Sequence, residues 1–112
     1  LDSSDMNSEE ISSLTIKIKK ETNKDSLKLL LHKRVSKLIQ SRKFELALQS
    51  IDSIKSLDNV DYGANLASAF IFNQIGSYDK ALQEIDKAIE VSGNESLKLY
   101  SEIAKGKKQR AK

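Results

Sequence analysis

The sequence predicts an all-α protein built from tandem antiparallel helix pairs, with one further helix on each side. Three observations carry that prediction. The 112 residues contain no proline and only four glycines, so little interrupts long helices. Apolar residues recur at spacings of three and four along most of the chain. The chain also matches itself at an offset of 34 residues, enough for two short helices and their turns.

The repeat is densest around one turn. Ala47-Leu48-Gln49-Ser50-Ile51-Asp52 falls on Ala81-Leu82-Gln83-Glu84-Ile85-Asp86, with five of six positions identical. Phe44 falls on Tyr78 and Glu45 on Asp79. Upstream, Val35 falls on Ala69, Leu38 on Phe72 and Gln40 on Gln74; downstream, Ile54 falls on Ala88 and Leu57 on Val91. Matches on both sides of a turn at one offset indicate a duplicated structural unit.

Each unit reads as two helices. In the first, Leu27, Leu30, Leu31, Val35, Leu38 and Ile39 form a helical stripe, with Asp25 or Ser26 placed to cap its start. A break at Ser41-Arg42-Lys43 precedes a second stripe of Phe44, Ala47, Leu48, Ile51, Ile54 and Leu57. The polar stretch Asp58-Asn59-Val60-Asp61 separates the units. The second unit predicts a helix from about Tyr62 to Ile75, a turn at Gly76-Ser77 and a helix from Tyr78 to about Ser92. Gly93 ends it, because glycine tolerates the left-handed backbone of helix stops.

This pattern resembles the tetratricopeptide repeat, over two units at 25–58 and 59–94. The second unit is the closer match: Ala69, Phe72, Gly76, Tyr78, Ala81 and Ala88 stand at the family's small, aromatic and turn positions. The first keeps Leu31, Leu38, Phe44, Ala47 and Ile51, but has Val35, Arg42 and Ile54 in place of a small residue, the turn glycine and the second alanine. Arg34 and Ser68 stand where the family usually has leucine, and Asn65 where it has a large apolar residue. The alanines have a geometric role, since antiparallel helices approach to about 8 Å only where facing side chains are small.

The flanks supply the rest of a stable stack. At residues 1–24, an acidic segment, Asn7-Ser8-Glu9-Glu10 reads as a capping-box variant opening a helix through about Glu21, with residues 1–6 disordered. Ile11, Leu14 and Ile18 share one face of that helix, although Leu14, Ile16 and Ile18 also alternate as a strand would. Residues 95–112 read as a capping helix with a basic tail, its packing face made of Leu97, Tyr100, Ile103 and Ala104. Exposed faces at either end leave open a homodimer.

Composition bounds the function. At this length there is room for one domain, of modest stability. Charged residues make up 31% and hydrophobic ones 38%, and no apolar run approaches the roughly 20 residues that span a bilayer. The polar, acidic start is unlike a signal peptide, and Leu1 in place of methionine is expected of a processed form or an excised domain. The absence of cysteine excludes disulfides and thiolate metal sites; it fits the cytoplasm and is compatible with export. The net charge of +3 gathers at Lys105, Lys107, Lys108, Arg110 and Lys112. A basic tail suits a solvated helix end, and no aromatic is interleaved with it to stack on nucleic acid.

Catalysis is not expected. His32 is the only histidine, flanked by Lys33 and Arg34 with no acidic residue at helical spacing. No phosphate loop, zinc spacing or calcium-loop pattern occurs, so no cofactor or metal is expected. The expected function is protein binding by an adaptor or scaffold, with homo-oligomerisation through the end helices as the alternative.

The resemblance implies where a partner would bind: the first helix of each pair lines the concave side of the stack. The groove residues would be His32, Ser36, Ile39 and Gln40 in the first unit and Leu66, Phe70, Asn73 and Gln74 in the second. Ser101 and Lys105 would close the far wall. Phe70 stands out because Phe70-Ile71-Phe72 cannot all face one core; with Phe72 packed, Phe70 lies about 200° away around the helix. It either anchors a partner or is covered by the N-terminal helix or a dimer mate. Some family members clamp a C-terminal carboxylate with lysine, arginine and asparagine. The matching positions here hold His32, Ser36, Ala67, Leu97 and Glu102, so that clamp is lacking.

Overall fold

A computed structural model describes residues 3–111, with side chains from residue 7 onward. Among the described residues there are six α-helices and no strand: α1 Ser3–Lys20, α2 Lys24–Gln40, α3 Phe44–Leu57, α4 Tyr62–Gln74, α5 Tyr78–Ser92 and α6 Lys98–Arg110. A single 3-10 turn, Glu95–Leu97, leads into α6. The chain divides into two compact units, Leu1–Asn59 and Val60–Lys112. In the first, α2 packs against both α1 and α3; in the second, α5 packs against both α4 and α6. Each helix pair thus takes one flanking helix.

In the first unit, α1 starts four residues before the expected capping box. Residues 1 and 2 lie outside the described residues, but the backbone is helical from Ser3, so the disorder expected over 1–6 does not extend to 3–6. No glycine or proline stands between residues 3 and 10 to stop the helix. The helical period prevails over the alternating one: Ile11 is buried, Leu14 and Ile18 are half-buried, and Ile16 is exposed.

The cap of α2 is Asn23, not Asp25 or Ser26; its side chain accepts a hydrogen bond from the Ser26 backbone N–H at 3.0 Å. Asn23 lies three residues before that N–H, the spacing that a capping side chain needs. Helices α2 and α3 pack together, and Leu31, Val35 and Leu38 from α2 and Ala47, Ile51 and Ile54 from α3 are each at most 5% exposed. Burial of this kind stabilises by roughly 1.5–3 kcal/mol per large side chain. The position where the resemblance calls for leucine holds Arg34, which donates to Thr15 Oγ1 at 3.1 Å on α1 and to Ser50 Oγ on α3.

In the second unit, Asp61 caps α4 by accepting from the Ala64 N–H. Ala69, Ala81, Ile85 and Ala104 form the core, with Phe72, Leu82 and Ile89 packed against it. Three of the four core residues are alanines, which allows the close helix approach expected of small residues. Asn65 is buried without being apolar; its Nδ2 donates to Glu84 Oε2 at 2.8 Å. Gly93 ends α5 at φ 67°, as the helix stop requires.

The face that α6 packs is corrected. Leu97, Ser101 and Ala104 are buried, whereas Tyr100 is 50% and Ile103 45% exposed. The small stripe turns inward and the bulky one outward, because Ser101 and Ala104 permit a close approach that Tyr100 would prevent. The basic residues extend this helix: Lys108 reaches Asp79 at 2.6 Å and Lys105 pairs with Glu102 at 3.5 Å. Lys112 lies outside the described residues.

Candidate protein-binding surface

The expected site residues are distributed over both units. On α2, Ser36 and Gln40 are exposed, while His32 and Ile39 are half-buried. On α4, Phe70 and Gln74 are exposed, while Leu66 and Asn73 are half-buried. The Oδ1 of Asn73 is enclosed and accepts no hydrogen bond, so it is not among the atoms open to a partner. Lys105 is exposed on α6 and paired with Glu102. Ser101 does not belong to an open wall. It is only 6% exposed, for the packing reason that also turns Tyr100 outward.

Phe70 stands as the helix geometry predicts. Ile71 is fully buried and Phe72 packs against the core of the second unit, which leaves Phe70 pointing outward at 48% exposure. The α4 helix is held in this orientation by what it buries: Ala64, Asn65, Ser68, Ala69 and Ile71 cover the other side. Asn65 and its bond to Glu84 fix the rotation of α4 against α5, since sliding or turning the helix would break a charge-assisted hydrogen bond.

A second surface lies in the first unit, along the seam between α1 and α2. One groove of about 320 Å³ is lined by Leu14, Lys17, Lys33, Ser36 and Lys37 among others. A neighbouring groove of about 380 Å³ shares Lys17 and adds Lys20, Leu29 and Leu30. Glu10 bonds Lys37 at 2.7 Å and closes one end. Of the expected site residues, only Ser36 lines this seam. The signal was present in Leu29-Leu30-Leu31, three consecutive apolar residues that cannot all face one core. Leu31 is buried, Leu30 is half-buried and Leu29 is 58% exposed.

The chemistry available at these surfaces is that of charge and apolar contact. Among the described residues, no three His, Asp or Glu side chains are grouped so as to hold a metal ion, and no helix is long and apolar enough to cross a membrane. The Lys98 ammonium, hydrogen-bonded to Glu95 and attracted by its charge, is held above the usual lysine pKa. Compared with family models, with curated proteins and with solved structures, the chain finds no match.

Proposed function

We propose that this chain is a non-catalytic protein-interaction module, an adaptor or scaffold of tetratricopeptide-like helix pairs that binds a peptide or helix of a partner protein. The observation that carries this reading is Phe70. A phenylalanine 48% exposed on a helix whose other side is packed is an anchor of the kind that dominates binding energy at protein interfaces. Leu66 and Gln74, one turn to either side, extend the contact with an apolar and an amide side chain. The test is a pull-down from the source lysate with the chain and its Phe70→Asp variant as baits, alongside circular dichroism of both. A partner held by the chain and lost by an equally helical variant supports the reading. Loss of helicity in the variant would make Phe70 a structural residue instead.

A second reading has its own observation. Leu99, Tyr100 and Ile103 are 66%, 50% and 45% exposed on the outer side of α6, which favours homo-oligomerisation through an end helix. Its signature is a solution mass that is a multiple of 12.5 kDa and falls on dilution. Leu99→Glu would abolish the concentration dependence, and a monomer at all concentrations rejects this reading.

A further inference from the structure

The α1–α2 seam combines an apolar floor with cationic rims. Leu14 and Leu30 are half-buried in it and Leu29 is 58% exposed beside them. Lys17 and Lys20 stand on the α1 rim and Lys33 on the α2 rim, and Glu21, whose carboxylate accepts from the Asn23 N–H at 3.0 Å, lies at the far end, so cations outnumber carboxylates along the seam. Among the described residues, no carboxylate pairs with these three lysines, whereas Lys37 is already neutralised by Glu10. From Glu10 to Lys20 the seam follows α1 for about 15 Å, or just under three helical turns at about 1.5 Å per residue.

We infer that this seam docks an amphipathic helix of a partner protein that carries acidic side chains beside its apolar stripe. The secondary structure of the occupant follows from backbone chemistry. Both walls are helices whose amides are bonded internally, so an extended ligand would find no backbone partner over a leucine floor. A helix arrives with its own backbone satisfied and lays its side-chain ridge into the groove between two others. The sign of its charge follows from the three lysines, which favour carboxylates and repel cations on either side of the stripe. The shape disfavours a lipid surface, because Leu14 lies half-buried between two helices where a flat headgroup layer does not reach it. This surface lies in the first unit and does not rest on Phe70, which lies in the second.

The experiment measures binding of two fluorescent 18-residue peptides to the full chain by anisotropy. Both are designed helices with leucines in one stripe; one has glutamates beside the stripe and the other has lysines. Each exposed ion pair is worth a factor of about two, and reversing its sign makes it repulsive by about as much, so three lysines predict a preference of about sixtyfold for the glutamate peptide. That preference should shrink with added salt. Lys17→Glu with Lys33→Glu should abolish or reverse it, Leu29→Ser should weaken both peptides, and Phe70→Asp should change neither. Because Leu29, Lys17 and Lys33 are surface residues, melting temperatures should stay close to that of the parent chain. Equal affinity for the two peptides overturns the inference, as does a preference that survives the double substitution. Failure of both peptides to bind, with phosphatidylserine vesicles bound by the parent and not by the double variant, overturns it in favour of a lipid surface. A concentration-dependent mass abolished by the double substitution overturns it in favour of a second copy of the chain. Peptide binding lost while the Phe70-dependent partner is retained would remove this site and leave the proposed function standing.

Discussion

Arg42 and Gly76, separated by the 34-residue repeat, hold the same left-handed backbone, at φ 58° and 83°. Each closes the first helix of its pair with the same hydrogen-bonded turn. Lys43 N–H donates to the Leu38 carbonyl at 2.9 Å, and Ser77 N–H donates to that of Phe72 at 2.8 Å. The second bond of each turn runs from the Arg42 N–H to the Ile39 carbonyl at 3.0 Å and from the Gly76 N–H to the Asn73 carbonyl at 3.3 Å. This is the Schellman arrangement of a helix end. The turn therefore recurs in structure even where the glycine does not.

A stability difference follows at these two positions. Left-handed backbone costs a non-glycine residue roughly 1–2 kcal/mol, and Arg42 recovers part of it through its guanidinium 5.3 Å above the Phe44 ring. Arg42→Gly should therefore be more stable than Arg42→Ala by about 1 kcal/mol in urea unfolding, because only the alanine keeps the strain without the ring contact. Gly76→Ala should lose about 1 kcal/mol from backbone strain alone, since nothing lies within 4 Å of the added methyl.

Arg34 ties three helices of the first unit through hydroxyls on α1 and α3. Hydrogen bonds to a charged donor contribute about 1.5–3 kcal/mol each, so Arg34→Ala should destabilise by about 2–3 kcal/mol after partial replacement by water. The local signature should be faster amide exchange in α1, with α4 and α5 unchanged. Uniform loss of protection across all helices would contradict this assignment.

Asn65 and Glu84 make the corresponding tie in the second unit. Ser50 and Glu84 share one repeat position, and each accepts a hydrogen bond from the first helix of its pair, from Arg34 and Asn65 respectively. Asn65→Ala should cost about 1–3 kcal/mol, because it empties a buried site and removes a charge-assisted bond. A double-mutant cycle with Glu84→Ala should give a coupling of about 1 kcal/mol or more, and a coupling near zero would show that the bond contributes little.

The rotation of α6 separates two substitutions that sequence alone treats alike. Leu97 is 7% exposed and Ile103 45%. Leu97→Ala should cost about 2–4 kcal/mol, whereas Ile103→Ala should stay within about 0.5 kcal/mol of the parent. Thermal unfolding of both variants checks the orientation directly, and equal losses would return Ile103 to the packing face.

The helices, their order and most of the core were legible from spacing and the repeat, because periodicity is a local property of the chain. Ala47, Ala69, Ala81 and Ala88 are each buried as the repeat predicts. Phe70 was legible because three adjacent apolar residues span more of a helix than one core can cover. The same argument at Leu29-Leu30-Leu31 indicates an outward leucine, but not that α1 would stand beside it to form a groove.

By itself, the sequence determined the order of the helices, the turns between the members of each pair and the apolar stripe of each paired helix, since turn geometry and helical period act within a few residues. Only the tertiary structure decided that the small side of α6 turns inward and its bulky apolar side outward, and what the polar residues Arg34 and Asn65 do at positions where apolar ones were expected. Those outcomes depend on how closely two helices approach and on which donor meets which acceptor across the gap. That distance is set by side chains far apart in sequence, so no window along the chain contains it.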